Sequence, residues 1–177
     1  MADPSPPVPR SPLPRSIDEW AQHPREARLA RLARTADDLE AAVRGRDAPT
    51  LTRRPDAANW APIEVLCHLR DAEESFLDRL RQIMATEEPR FPSVNPNRVA
   101  EEREYLRQPS GDALAAFRRH REGSLAFFGA LRGSDWSRAG HQMDSRGRRT
   151  LDDFLSVMAW HDGNHLAQLA RALRGAP

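Results

Sequence analysis

Two histidines four residues apart, in the segment WHDGNHLAQL, have a spacing that suits metal binding. A helix turns about 100° per residue, so side chains four residues apart share a face, with their Cβ atoms about 5–6 Å apart. The predicted helix that contains this segment has an apolar stripe that includes Phe154, Met158 and Leu169, and both His161 and His165 fall within that stripe. The spacing therefore predicts two inward imidazoles that can bind one metal ion.

A third histidine and two carboxylates fall on the inward faces of predicted helices. On an upstream helical segment, His68 lies at one margin of the apolar stripe and Glu73 lies inside it, while Asp162 points inward beside the histidine pair. A carboxylate that faces a core is costly unless it is paired or hydrogen-bonded. Three neutral imidazoles with open coordination positions suit a borderline divalent ion, so His68, His161 and His165 are the predicted ligands. Glu73 and Asp162 are predicted to orient a ligand imidazole or to transfer a proton.

Other interpretations of these residues stay open. An isolated H-x-x-x-H motif is short, and histidines satisfied within a core would also produce it. The H-E-x-x-H motif of metalloproteases is not met, because Asp162 stands where that motif has glutamate. His23 and His120 have weaker claims, whereas His141 lies in a predicted loop that could reach the mouth of a site. Cys67 points elsewhere on its helix, which indicates packing and not a nucleophile.

Four amphipathic helices are predicted to position these residues. Proline suits the first turn at Pro24 and Pro62, and Thr150 followed by Asp153 suits an N-terminal cap. Apolar residues recur at helical spacing, and no segment alternates like a β-strand. The predicted helices cover residues 24–45, 62–87, 110–131 and 150–173.

The connection between the second and third helices is long. About twenty residues separate them, including EEPRFPSVNPNR, whereas ~2–8 residues usually join the helices of a hairpin. A long crossover allows consecutive helices to run parallel. We therefore predict an all-α four-helix bundle with a topology other than a succession of hairpins.

The composition limits the classes of partner. The 177 residues include 27 basic and 26 acidic side chains, interspersed along the chain, which argues against nucleic-acid and membrane partners. Every basic residue is arginine, which excludes Schiff-base and P-loop lysine chemistry. One cysteine, no membrane-length apolar run and no secretory signal predict a cytoplasmic protein.

The chain divides into a tail and one domain. MADPSPPVPRSPLPRS is rich in proline and has almost no large apolar residues. Residues 1–22 are therefore predicted to be a disordered tail. Residues 23–177 are predicted to form the bundle, a length that suits a single domain.

The segments NWAPIEVLCHLRDAEESFLDRL and SDWSRAGHQMDSRGRRTLDDFLSVMAWHDGNHLAQLARAL resemble the DinB/YfiT-like superfamily of metalloenzymes. The resemblance covers residues 25–174 and is most specific at Trp60 with EVLCHLRDAE and at TLDDFL followed by HDGNHLAQL. It implies a four-helix bundle of up-down-down-up topology. It also implies a divalent metal, often nickel or zinc, bound by one histidine of the second helix and two of the fourth. In this chain these are His68, His161 and His165.

The resemblance also bears on activity. Characterised relatives include thiol-dependent S-transferases and isomerases that use bacillithiol or mycothiol, and many members are dimers. The leading hypothesis is therefore a metal-dependent S-transferase that joins a low-molecular-weight thiol to a small-molecule electrophile, in a protein that forms a homodimer. Arg70, Arg79 and Arg171 are candidates for binding an acidic thiol. Some relatives have a further histidine where this chain has Asp162, so the surroundings of the metal differ from theirs.

Two alternatives share the same metal site. An ion with three imidazole ligands keeps its charge and lowers the pKa of a bound thiol or water toward neutrality. A metal-dependent hydrolase that uses the activated water is therefore the alternative enzyme. A stress-linked bundle that binds a metal or a ligand without catalysis is the alternative outside enzymes.

Overall fold

The computed structural model describes residues 13–143 and 147–177. Within these residues, four long helices are connected by short helices, short strands and two 3₁₀ turns. The helices are α1 (Ile17–Ala21), α2 (Arg25–Val43), α3 (Ala48–Thr52), α4 (Pro62–Ala85), α5 (Pro96–Glu102), α6 (Ser110–Ala130) and α7 (Leu151–Leu173). The strands are β1 (Arg90–Phe91), β2 (Ala139–Gln142) and β3 (Arg148–Thr150), and the 3₁₀ turns are Tyr105–Arg107 and Gly133–Ser137.

The four predicted helices are confirmed as α2, α4, α6 and α7, and each end lies within two residues of its predicted position. Local capping explains this agreement. Pro24 is the N-cap of α2, and Pro62 is the first residue of α4. At α7 the Thr150 hydroxyl accepts from the Asp153 amide, while the Asp153 carboxylate accepts from the Thr150 amide at 2.8 Å. Each of these hydrogen bonds satisfies a backbone N–H group that would otherwise be unpaired at the start of the helix.

Helices α2 and α7 run parallel. Arg28 near the start of α2 donates to Ser156 in the first part of α7, at 2.7 Å. Further along both helices, Thr35 donates to Asp162 at 2.5 Å. Because the residue numbers rise together along the two helices, α2 and α7 run in the same direction.

Helix α4 runs antiparallel to α7 and parallel to α6. His68 lies against His161, whereas Phe76, later on α4, lies against Phe154, earlier on α7. On α6, Arg121 binds Glu73 of α4, and two residues later Gly123 packs against Leu77 of α4. With the parallel pair α2 and α7, these directions give the predicted up-down-down-up bundle.

Two apolar clusters fill the bundle, and a polar layer lies between them. One cluster includes Leu66, Leu69, Phe117 and Leu169, and the other includes Leu80, Phe128, Phe154 and Met158. On α4, α6 and α7 the residues between these clusters include Glu73, Arg121 and Asp162, all of them buried. These three buried polar side chains therefore lie at the same height along the bundle axis.

Three short strands add a minor sheet to the helical bundle, although no segment of the sequence alternates like a β-strand. β1 pairs with β2 in parallel, with Arg90 opposite His141, and β2 pairs with β3 in antiparallel, with Ala139 opposite Thr150. Each strand has two to four residues. Because α4 and α6 are parallel, the segments that follow them leave the same end of the bundle and lie side by side. Pairing of such short strands depends on this arrangement and has no local sequence signal.

The N-terminal segment also differs from the prediction. Residues 1–12 of the predicted tail lie outside the described residues, but α1 lies within the predicted tail and packs against α7. The Ser16 hydroxyl caps α1, and Trp20 is only 4% exposed. The indole of Trp160 donates to the carbonyl oxygen of Arg15 at 3.1 Å. The folded unit therefore begins before residue 23.

No described helix combines the length and apolar character needed to cross a membrane.

Candidate metal centre

Three histidines from two helices converge at the polar layer. His68 of α4 meets His161 and His165 of α7, and one ring nitrogen from each lies within 4.8 Å of the other two. The Nε2 atoms of His68 and His161 are 3.1 Å apart. The ring centroids of His161 and His165 are 4.3 Å apart, as expected for neighbours on one helical face. All three side chains are half-buried, so one side of the cluster faces solvent.

The protonation of the cluster suits a metal ligand set. Burial, followed by the nearby His165, lowers the pKa of His68 to about 4. Burial also holds the pKa of His161 well below its usual value, and His165 and His68 add to this effect. Burial lowers the pKa of His165, although Gln168 opposes the change. All three imidazoles are therefore neutral at neutral pH, which is the form that binds metals.

The spacing of the nitrogens also suits a single ion. Imidazole nitrogens lie ~2.0–2.1 Å from zinc, so two of them at an angle between square and tetrahedral are separated by roughly 3–3.4 Å. The observed Nε2 separation of His68 and His161 is 3.1 Å. One ring nitrogen of His165 lies within 4.8 Å of both of the others, so the third imidazole borders the same point. The residues present thus fit a divalent ion of the borderline class.

Gln168 fixes the orientation of one histidine of the cluster. Its Oε1 atom lies 2.7 Å from Nδ1 of His165. A carboxamide oxygen accepts a hydrogen bond, so Nδ1 carries the proton and Nε2 keeps the lone pair that can bind an ion. The sequence analysis did not identify Gln168. Its spacing, three residues after His165 on one helical face, is the signal that could have found it.

The two carboxylates do not have the predicted contacts with the ligands. Among the described residues, neither Glu73 nor Asp162 hydrogen-bonds to a histidine of the cluster. Both bind Arg121 instead, Glu73 through Oε2 at 2.7 Å and Asp162 through Oδ2 at 2.6 Å. Asp162 also accepts from Thr35. Among the described residues, therefore, no hydrogen bond is present through which either carboxylate would orient a histidine of the cluster, because Arg121 is the partner of both.

Arg121 is a buried residue that the sequence analysis missed. Burial disfavours its charge, but Asp162 and Glu73 raise the pKa of the guanidinium, so it stays charged. It lies four residues after Phe117 on α6, and both side chains are buried. An arginine on an apolar stripe, together with two inward carboxylates elsewhere, is a sequence signal for a buried ion network.

Aromatic side chains form two walls of the cluster. The ring of Trp60, just before α4, lies 5.0 Å from that of His68, and the ring of Phe76 lies edge-on to His161 at 5.4 Å. Trp60 is half-buried and Phe76 is buried. These rings reduce the water around the histidines and offer apolar surface beside them.

The arginines proposed for thiol binding have other partners. Arg70 binds Asp71 at 2.7 Å, Arg79 donates to Gln142 at 3.1 Å, and Arg171 donates to the Pro177 carbonyl oxygen at 3.0 Å. The structure therefore gives no support to their predicted role.

The remaining candidates lie away from the centre or are inert. His141 belongs to β2 and binds Glu88 at 2.8 Å. Glu88 follows the C-terminal end of α4, whereas His68 lies near its start, roughly 25 Å away along the helix axis. His141 thus does not reach the histidine cluster. Cys67 is fully buried, and burial raises the pKa of its thiol to about 12, which agrees with a packing role.

Comparisons with known proteins support the fold and give the family. Comparison with proteins of curated function gives no match. The structure is similar to that of YfiT from Bacillus subtilis, which is described as a probable metal-dependent hydrolase with an unusual four-helix bundle topology. The TM-score is 0.79 at 19% identity, over 85% of this chain and 86% of that chain. The sequence profile of the DinB superfamily matches residues 31–169, a range that includes the three clustered histidines. This chain therefore belongs to the DinB superfamily.

Proposed function

We propose that the protein is an enzyme that depends on a divalent metal bound by His68, His161 and His165. The observation that carries the proposal is the convergence of three imidazole nitrogens within 4.8 Å of one another, on a side of the bundle that reaches solvent. A divalent ion at this point would lower the pKa of a bound thiol or water and so supply a nucleophile near neutral pH. Nickel and zinc both suit imidazole ligands.

The protein's own residues prepare the site in three ways. Burial keeps the imidazoles neutral, and the hydrogen bond from Nδ1 of His165 to Gln168 leaves Nε2 of that ring free to bind an ion. Trp60 and Phe76 restrict water beside the ligands. Arg121 binds both carboxylate oxygens of Asp162, so Asp162 is not placed as a general base for the reacting group, whereas of Glu73 it binds Oε2 alone. Such a site favours a nucleophile that loses its proton on binding.

The leading reaction is S-transfer from a low-molecular-weight thiol. A carbon–sulfur bond forms at the electrophile while a halide leaves or an epoxide ring opens. The thiol proton passes to solvent or to the opened oxygen. The apolar surface of Trp60 and Phe76 beside the histidines suits an apolar electrophile. The resemblance to thiol-dependent relatives also supports this choice.

Hydrolysis is the second candidate. The similarity to YfiT, a protein described as a probable metal-dependent hydrolase, favours it. In that reaction water takes the place of the thiol at the same three-histidine site. A bundle that binds metal without turnover is the candidate outside enzymes.

Elemental analysis tests the metal site. The protein would be purified without a nickel column, beside the variants His68→Ala, His161→Ala and His165→Ala. His23→Ala is the matched control, since the ring of His23 lies 5.4 Å from that of Trp20 and His23 is not part of the cluster. We expect about one equivalent of nickel, zinc or a similar ion in wild type and in the control, and loss in the three variants. Wild-type protein without metal, even after reconstitution, would overturn the proposal.

Activity assays separate the candidate reactions. The metal-loaded protein would be incubated with chlorinated and epoxide electrophiles, with and without added thiol, and His161→Ala would serve as the inactive control. Turnover that requires thiol supports S-transfer and rejects hydrolysis. Turnover without thiol supports hydrolysis and rejects S-transfer. Metal retention with no turnover on the whole panel would favour the binding protein.

A further inference from the structure

The polar layer contains an ion network that joins all four long helices. Arg121 of α6 binds Glu73 of α4 at 2.7 Å and Asp162 of α7 at 2.6 and 3.0 Å. It also donates to the carbonyl oxygen of Leu32 on α2, at 2.8 Å. Thr35, one turn further along α2, donates to Asp162 at 2.5 Å. Arg121, Glu73 and Asp162 are each at most 2% exposed.

The network connects the two helices that carry the histidines. Asp162 directly follows His161 on α7, and Glu73 lies little more than one turn after His68 on α4. Because one guanidinium binds both carboxylates, α4 and α7 cannot slide past each other without breaking a buried hydrogen bond. The axial register of these helices sets the distance between His68 and His161.

The network also has an excess of negative charge. Two carboxylates share one guanidinium, so the formal charge of the network is −1. Burying ions is costly, and apolar residues of similar size often replace a buried ion pair without loss of stability. Stability alone therefore gives a weak reason for this network. The neutral histidines beside it would bring a divalent cation, whose charge the excess carboxylate offsets.

We propose that Arg121 is a positioning residue for the metal centre. It fixes the register of α4 and α7 at the level of the histidines and holds two carboxylates that leave one negative charge beside the bound cation. This inference rests on the proposed function, because it requires that the histidine cluster binds metal. It assigns Glu73 and Asp162 an electrostatic role through Arg121, in place of direct contact with a ligand.

Arg121→Lys is the first test, because lysine keeps the charge but cannot bind both carboxylates with a planar fork. Arg28→Lys is the matched control. Arg28 is likewise buried, at 4% exposed, and binds Asp152 and Ser156 near the start of α7, away from the histidines. Each variant would be titrated with Co²⁺, and the visible absorption of the bound ion would report its coordination geometry. Thermal unfolding of the metal-free proteins would measure stability separately.

We expect Arg121→Lys to weaken Co²⁺ binding by about 10–100-fold and to change the absorption spectrum, as loss of groups outside the ligand set does in other metal sites. Arg28→Lys should lower the unfolding temperature and leave the Co²⁺ affinity and spectrum unchanged. If Arg121→Lys does not fold, Glu73→Gln provides the test, because it keeps the side-chain shape and removes the excess charge. We expect it to weaken Co²⁺ binding by about tenfold.

The outcomes distinguish this inference from the proposed function. Wild-type affinity and spectrum in both Arg121→Lys and Glu73→Gln would overturn the positioning role and leave the metal site standing. If Glu73→Gln alone can be measured, its wild-type behaviour would have the same meaning. Failure of the wild-type protein to bind Co²⁺ would overturn both the metal site and the positioning role.

Discussion

At the scale of single residues, the contact between Gln168 and His165 predicts a loss of metal affinity without loss of the fold. Gln168→Ala removes the acceptor that lies 2.7 Å from Nδ1 of His165, so the imidazole can rotate or change tautomer. We expect the dissociation constant for zinc to rise about 10–100-fold. A competition titration with a chromophoric chelator would measure it.

Gln168→Glu is the control for this prediction. Glutamate keeps an oxygen acceptor at the same distance from the backbone, so His165 should keep its orientation and the zinc affinity should stay near that of wild type or increase. Equal affinities in the wild type and Gln168→Ala would show that the histidine needs no such support.

Residues differ in how far their sequence context reveals them. The histidine cluster was predictable because an imidazole inside an apolar stripe is conspicuous on a helical wheel, and His161 and His165 share one face. The partners of Glu73 and Asp162 were not predictable. A carboxylate beside a metal site and a carboxylate in an ion pair have the same pattern of neighbouring residues in the sequence. Arg121, the residue that decides between them, lies 41 positions from Asp162.

At the scale of elements, the close packing of β2 against β1 predicts that Gly140 does not tolerate a side chain. A Cβ atom at Gly140 would lie 2.5 Å from Cε2 of Phe91 and 3.1 Å from the carbonyl oxygen of Pro89, and the backbone oxygen cannot easily move. We expect Gly140→Ala to lower the free energy of unfolding by about 1–3 kcal/mol. Urea denaturation would measure the change.

Gly129→Ala provides the comparison for this element. Gly129 lies near the end of α6, and a Cβ atom there meets nothing within 4 Å. Alanine should leave stability unchanged or raise it slightly, since it favours the helix. If Gly140→Ala behaved in the same way, the three-stranded sheet would be too loosely packed to matter for stability.

Elements also differ in how far the sequence predicts them. The long helices have signals at their ends, such as Pro62 and the Thr150–Asp153 capping box. Their apolar residues also recur at helical spacing over several turns. α1 has a cap at Ser16 but only five residues, and it follows a proline-rich segment that suggests disorder. Its stability comes from burial of Trp20, which no local pattern reveals.

At the scale of the whole molecule, the topology could be predicted from the sequence. The long connection before α6 and the family resemblance both indicate a bundle that is not a succession of hairpins. The contacts between helices within the polar layer could not be predicted, because they join side chains that are far apart in the sequence. Arg121 contacts α2, α4 and α7 at once, and these contacts form only when the bundle closes. The level of this layer in turn places His68 against His161.

Because the histidine cluster joins α4 to α7, metal binding should stabilise the whole bundle. Zinc that binds the folded chain and not the unfolded chain adds about 2.7 kcal/mol to the free energy of unfolding when its free concentration is 100 times the dissociation constant. The unfolding temperature should therefore rise with zinc concentration and fall when a chelator removes the ion. His161→Ala breaks the link between the helices, so its unfolding temperature should not respond to either. A zinc-dependent shift of equal size in that variant would mean that the ion stabilises the chain from somewhere other than this cluster.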